Sequence, residues 1–142
     1  MEALKYKYDS LKKSYQSLVD MISYQQKQDI ILVDPVLHGL LNAGIIKHFE
    51  WTYEIAWKLL KRYLFEVHHQ ELNSPKAVFR ACETYKVFPL HAVNELIILT
   101  DIRKNIPYIF EHVVAQEVYT CVIEHHRVFG IVLESMQKLL GQ

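Results

Sequence analysis

The stretch that decides the fold is GIIKHFEWTYEIAWKLLKRYL, which runs from Gly44 to Leu64. Its large apolar residues recur at spacings of three and four, the period of an α-helix with one buried face. These residues are Ile46, Phe49, Tyr53, Trp57, Leu60 and Leu64. Upstream, Asp34 precedes Pro35, which is a helix N-cap followed by the favoured first-turn proline. The sequence therefore predicts one long helix from Pro35 to about Val67.

The segments on either side are also predicted to be helical. The same spacing occurs near the amino terminus, at Leu4, Tyr8, Leu11, Tyr15, Leu18 and Ile22. After the long helix, Ser74-Pro75 repeats the cap-plus-proline signal and opens a short helix, and Pro89 opens another that should stop near Pro107. A last helix carries apolar residues from Val114 to Leu139. The connector before Asp34 contains the apolar run IILV.

No segment alternates with a period of two for long enough to predict a strand. Glycine and proline number only four each, which favours few, long elements over a turn-rich sheet. We therefore predict an all-α fold, a single domain of residues 1–142 arranged as an antiparallel up-and-down four-helix bundle with one extra short helix.

The charge balance excludes some classes of function. Sixteen basic and 16 acidic residues give zero net charge, which argues against a broad electrostatic grip on duplex nucleic acid. The longest uncharged stretch, PVLHGLLNAGII, has 12 residues and is too short to span a bilayer. No secretory signal pattern opens the chain, so we expect a cytoplasmic protein with no membrane partner. Zero net charge with 51% apolar residues favours a surface that a partner covers.

Two polar residues fall within apolar helical stripes. Glu50 lies about 40° from Ile46 on the helical wheel, so it is either at a wet edge of the stripe or in a polar cluster on the bundle. We predict that Arg103 is its partner and that Trp57 packs nearby. His125 falls in the stripe of the last helix and is either a satisfied core histidine or a ligand or acid–base group.

The chain offers no pattern for a metal or a nucleophile. A di-iron bundle needs Glu-x-x-His on two helices, and the sequence fits this once, at Glu66 to His69. Cys82 and Cys121 lie inside apolar patterns without a CxxC motif, which predicts buried thiols. There is no glycine-rich phosphate loop. We predict no metal and no cofactor.

The stretch from Gly44 to Leu64 resembles the nucleotidyltransferase substrate-binding protein family, a branch of the HEPN superfamily of small helical bundles. The family's central pattern is matched at Phe49, Glu50, Thr52, Tyr53, Glu54, Trp57 and Lys58. NSPKAVFRACETYKVF, from Asn73 to Phe88, is similar to the family's Ser-Pro-Arg helix. The order of elements also fits, so the resemblance covers nearly the whole chain.

The family's third block departs from the pattern in this sequence. The family has an Arg at this block, usually with an Asn directly after it. A His lies five positions after the Arg, and a Tyr lies two positions after the His. The Arg and His are taken as a metal-independent ribonuclease site. Here Arg103 aligns with the Arg, Tyr108 stands at the His and Phe110 at the Tyr, while Asn105 is displaced by one. Tyrosine has a reference pKa near 10 and would be a poor general base near neutral pH.

Two functions are compatible with this resemblance. The first is a non-catalytic subunit that forms a homodimer and partners a small, separately encoded nucleotidyltransferase, as in toxin–antitoxin pairs. The alternative is a metal-independent HEPN ribonuclease toxin with a degenerate site at Arg103 and Tyr108. In both, a nucleotide or RNA is a further candidate ligand. The predicted polar binding cluster contains Glu50, Trp57, Lys58, Arg103, Asn105 and Tyr108.

Overall fold

The computed structural model describes residues 2–28 and 34–141. They form six α-helices and one 3₁₀ helix, and no strand occurs in these two ranges. The elements are α1 (Glu2–Gln28), α2 (Pro35–His68), α3 (Pro75–Thr84), α4 (Leu90–Arg103), a 3₁₀ helix (Ile106–Tyr108), α5 (His112–His125) and α6 (Val128–Leu140). The prediction of an all-α fold is confirmed. The IILV run lies outside the described residues. Within them, no helix is long and apolar enough to cross a membrane.

The predicted helix starts are confirmed by their hydrogen bonds. The Asp34 carboxylate accepts from the amides of Val36 and Leu37 at 3.1 and 3.2 Å, and Pro35 takes the first position of α2. The Ser74 hydroxyl accepts from the amide of Ala77 at 3.3 Å. Each cap satisfies amides that the helix leaves unpaired, so local sequence fixes where α2 and α3 begin.

The end of α2 depends on a left-handed residue. His69 has φ 57°, and its amide donates to the carbonyl of Phe65 at 3.2 Å. The next amide, of Gln70, donates to the carbonyl of Leu64 at 3.1 Å. The bond from the left-handed His69 to Phe65, four residues back, is the αL C-cap motif, and the two bonds together satisfy carbonyls at the end of α2.

The helices surround one core, and the most extensive packing is between α1 and α2. Gly44 lies at this contact, where a Cβ would come within 3.0 Å of the flexible end of the Met21 side chain. Five rings, here called the aromatic chain, connect α1, α6, α2 and α3, with neighbouring ring centroids 6.0–6.3 Å apart. In order, they are Tyr15, Phe129, Phe49, Tyr53 and Phe79.

The prediction of a single last helix is wrong, because the chain forms α5 and α6 with a turn at His126–Arg127. The amides of Phe129 and Gly130 donate three residues back instead of four, at 3.2 and 3.0 Å. The backbone therefore tightens into a 3₁₀ turn. With the final helix divided, the described chain has six α-helices in place of the five predicted.

The structure buries His126 more deeply than its neighbour His125, for which the sequence left open a core role and a role as ligand or acid–base group. His126 is 5% exposed, and its Nδ1 lies 2.9 Å from the carbonyl oxygen of Ile123 and 3.1 Å from that of Val122. This side chain hydrogen-bonds the carbonyls at the end of α5. The side chain of His125 is 23% exposed, and its Nδ1 lies 3.7 Å from the Glu95 carboxylate.

Stability should fall as the pH drops below about 6.5, the usual pKa of histidine. Burial lowers the pKa of His126, against opposing hydrogen bonds to Ile123 and Val122. As the pH falls, the unfolded chain therefore takes up a proton at a higher pH than the folded chain does. The free energy of unfolding continues to decrease until the pH reaches the lowered pKa of the folded state. Urea unfolding at several pH values checks this, with His126→Gln as the comparison. An equal loss of stability in the variant would contradict the assignment to His126.

Candidate functional site

A polar cluster joins α2 to α4, and Glu54 is at its centre. The Arg103 guanidinium forms an ion pair with the Glu54 carboxylate. The indole Nε1 of Trp57 donates to the same carboxylate at 3.2 Å, and Nζ of Lys58 lies 3.6 Å away. Glu54 is two-thirds buried, and two cations and an indole N–H surround its charge. We call Glu54, Trp57, Lys58, Arg103, Tyr53 and Thr100 the Glu54 cluster.

Arg103 is also held from the core side. Its guanidinium carbon lies 4.7 Å from the ring centroid of Tyr53, a cation–π contact. The Tyr53 hydroxyl is 2.7 Å from Oγ1 of Thr100, which donates to the carbonyl of Leu96. Burial raises the pKa of Tyr53, and the Thr100 hydrogen bond and the charge of Arg103 oppose that rise. Arg103 is thus held by one carboxylate and one buried ring.

The predicted pairing of Glu50 with Arg103 is wrong. Glu50 instead pairs with Lys47, three residues earlier on the same helix, at 2.8 Å. The Tyr53–Thr100 hydrogen bond sets the register between α2 and α4. Arg103, about one turn beyond Thr100, therefore reaches Glu54, next to Tyr53, and not the carboxylate one turn earlier. Trp57 does pack in the cluster with Arg103, but through Glu54.

Two further predicted site residues lie outside this cluster. Tyr108 is in the 3₁₀ helix and 56% exposed, and Asn105 precedes that helix without capping it through its side chain. Within residues 2–28 and 34–141, no ion pair or side-chain hydrogen bond connects either of them to Arg103. His112, at the start of α5, is exposed. The Glu54 cluster itself contains no imidazole.

Three members of the cluster, Tyr53, Glu54 and Thr100, were not predicted as site residues. Two local signals pointed to Glu54: Lys58 is four residues on, and Trp57 three residues on. Both spacings place side chains on one helix face. Thr100 had no such signal, since its partner Tyr53 lies 47 residues away in the chain.

A basic groove adjoins the cluster on the outer side of α2, with a volume of about 360 Å³. Trp57 and Lys58 belong to both. The other lining residues come from α1, α2 and the loop after α2, and they are Lys7, Lys61, Arg62, Phe65, Gln70, Glu71, Leu72 and Asn73. The volume is within the range of about 300–1,000 Å³ that is common for small-molecule sites.

The thiols and metal-ligating groups form no comparable site. Burial raises the pKa of the Cys82 thiol to about 12, which leaves it protonated near neutral pH. Cys121 is only half-buried, so the prediction of two fully buried thiols holds for Cys82 alone. No group of three or more His, Cys, Asp or Glu residues in the described ranges could hold a metal ion.

The fold and the site together define a small all-helical domain with a polar cluster and an adjoining basic groove. A family model described as nucleotidyltransferase substrate binding protein like matches residues 6–138, and the chain belongs to this family. The structure is similar to that of HI0074 from Haemophilus influenzae, which is described as having the fold of a substrate binding domain of a nucleotidyltransferase. The TM-score is 0.81 at 18% identity, covering 92% of this chain and 98% of that one. A search of curated proteins gave no match.

Proposed function

We propose that this chain is a non-catalytic, cytoplasmic binding subunit that forms a homodimer and partners a small, separately encoded nucleotidyltransferase. The observation that carries the proposal is the state of Arg103. Its guanidinium is occupied by Glu54 and Tyr53, and the residue aligned with the family's histidine, Tyr108, lies outside the cluster. An acid–base pair for cutting RNA requires a titratable group within hydrogen-bond reach of the reacting atoms. Family membership supports the nucleotidyltransferase as partner.

An exposed apolar face supports self-association. Phe110 and the first turns of α2 line a groove of about 530 Å³. Phe110 is 79% exposed, and three apolar residues that neighbour lining residues in sequence, Val36, Leu40 and Val113, are 66–74% exposed. Exposed apolar residues in this region favour an interaction site. A two-fold homodimer would pair this face with its own copy.

Co-purification tests the partnership. A tagged nucleotidyltransferase from the same genomic neighbourhood should retain this chain at a fixed ratio. Light scattering of the chain alone should give about twice 16.8 kDa. Leu40→Asp with Phe110→Asp should shift the mass toward the monomer, while Tyr6→Asp, at an exposed position of α1, should not. If the nucleotidyltransferase does not retain the chain, the proposed partnership is wrong. If the wild type is monomeric at micromolar concentration, the proposed homodimer is wrong.

An RNA-cleavage assay in the presence of a metal chelator distinguishes the proposed binding subunit from the metal-independent ribonuclease alternative. We expect intact RNA with the wild type and with Tyr108→His, since position 108 lies outside the Glu54 cluster. Cleavage by the wild type that is abolished in Arg103→Ala would overturn the proposal and establish a ribonuclease.

A further inference from the structure

The basic groove has an ordered arrangement of rings and charges on α2. Trp57, Lys61 and Phe65 follow one another at intervals of four residues, and Lys58 and Arg62 form a second row beside them. Side chains four residues apart are neighbours on a helix surface. The groove floor is therefore one row of ring, cation and ring, flanked by two more cations.

The walls of the groove come from other parts of the chain. Lys7 of α1 forms one side, and residues 70–73 form the other. The αL cap at His69 ends α2 directly before that loop, and Leu72 packs against the core. The groove is thus formed without a ligand, which reduces the ordering cost of binding.

The groove concentrates positive charge in a chain that has none overall. Four basic side chains line it, against one acidic side chain, Glu71. Two of the four have partners: Nε of Arg62 contacts Glu66 at 2.7 Å, and Lys58 contacts Glu54 at 3.6 Å. Both of these cations are about half exposed, and ion pairs at such positions are weak. Lys7 and Lys61 make no ion pair with any described residue.

The rings give the groove an apolar component. Phe65 is 51% exposed, although it is a large apolar residue in the middle of a charged surface. Nζ of Lys61 lies 5.6 Å from the ring centroid of Trp57, which places a cation beside that ring. An exposed ring next to clustered cations suits a ligand that combines an aromatic base with phosphates.

We propose that the basic groove binds a nucleoside phosphate, with the base against Phe65 and the phosphates on Lys7, Lys61 and Arg62. The small volume and the zero net charge of the chain favour a single nucleotide over a nucleic-acid strand. This site is carried by one chain. It requires neither the nucleotidyltransferase partner nor the homodimer, so its failure and theirs are separate results.

Tryptophan fluorescence tests the site directly. The chain has two tryptophans, and Trp51→Phe leaves Trp57, at the groove, as the only one. Titration with ATP should quench this emission to saturation, and added salt should weaken the binding. Adenosine should bind far more weakly than ATP because it lacks the phosphates. If ATP gives no saturable quenching, or adenosine binds as tightly as ATP, the proposal is wrong.

Variants separate the roles of charge and ring. In the Trp51→Phe background, Lys61→Gln with Arg62→Gln should weaken ATP binding about tenfold or more. Lys7→Gln, which removes a cation of the groove on α1 and not on α2, should also weaken ATP binding. Lys12→Gln with Lys13→Gln, at exposed positions of α1, is the matched control and should stay within about twofold. An equal loss in the control would contradict the proposal. Circular dichroism confirms that each variant folds.

Phe65→Leu tests the base contact, since it keeps an apolar side chain but removes the ring. It should weaken ATP binding and leave the binding of tripolyphosphate, measured by calorimetry, unchanged. Wild-type protein that binds tripolyphosphate as tightly as ATP would show a polyanion site and overturn the assignment to a nucleotide. Much tighter binding of a short single-stranded RNA than of ATP would overturn it as well.

Discussion

Replacing Phe49 with alanine is expected to lower the free energy of unfolding by about 3–5 kcal/mol. Phe49 is fully buried in the middle of the aromatic chain. Its ring centroid lies 6.0 Å from that of Tyr53 and 6.2 Å from that of Phe129. The substitution would remove the ring that connects α2 to α6, leaving a cavity that the other helices can fill only in part.

Urea unfolding followed by circular dichroism measures this loss. Phe49→Leu, which fills most of the same volume, should cost less than half as much. Tyr6→Ala is the matched control, because Tyr6 is a ring on α1 that is 75% exposed, and it should change stability by no more than about 0.5 kcal/mol. A loss below about 1 kcal/mol for Phe49→Ala would show that the core repacks around the missing ring.

Arg103→Ala is expected to cost about 1–2 kcal/mol of stability, between the values for exposed and fully buried ion pairs. The Arg103 and Glu54 side chains are 29% and 33% exposed, so solvent screens part of their attraction. The substitution also removes the cation–π contact with Tyr53. A double-mutant cycle with Glu54→Gln should give a coupling energy of about 0.5–1.5 kcal/mol.

The pair of Lys47 and Glu50 is the control for that cycle. Both residues lie on α2, with Nζ of Lys47 2.8 Å from the Glu50 carboxylate, and Lys47 is 55% exposed. Lys47→Ala with Glu50→Gln should couple by less than about 0.5 kcal/mol. If Arg103 instead couples to Glu50 and not to Glu54, the cluster described above is wrong.

Much of the fold could be predicted because its signals are local. Asp34 and Ser74 cap helices by accepting hydrogen bonds from amides only two or three residues away. A few adjacent residues are therefore enough to predict each helix start. The break at His126–Arg127 was missed because the apolar spacing continues across it, from Val122 to Val128 and Val132. A 3₁₀ turn of two residues changes that spacing little. Nothing in the local sequence predicts that the side chain of His126 hydrogen-bonds the backbone.

The site was harder to predict, since it depends on how two helices align. The spacing on α2 leaves Glu50 and Glu54 at the same edge of the apolar stripe. Their choice of partner depends on the register of α4, which the hydrogen bond between Tyr53 and Thr100 sets. Trp57 and Lys58 lie in the first block of the family resemblance and Arg103 in the third, and the structure brings all three to Glu54. Their common partner was one turn away from the residue predicted.

The two faces of α2 differ in how freely they can evolve. Residues such as Phe49 and Leu60 are locked into the core, whereas Lys61 and Phe65 contact solvent and the groove. The groove can therefore exchange cations and rings, and so change what it recognises, without altering the packing that holds the helices. Tyr53 is the exception, because one side chain serves the core and the Glu54 cluster. A change there would alter the core packing and the position of Arg103 at once.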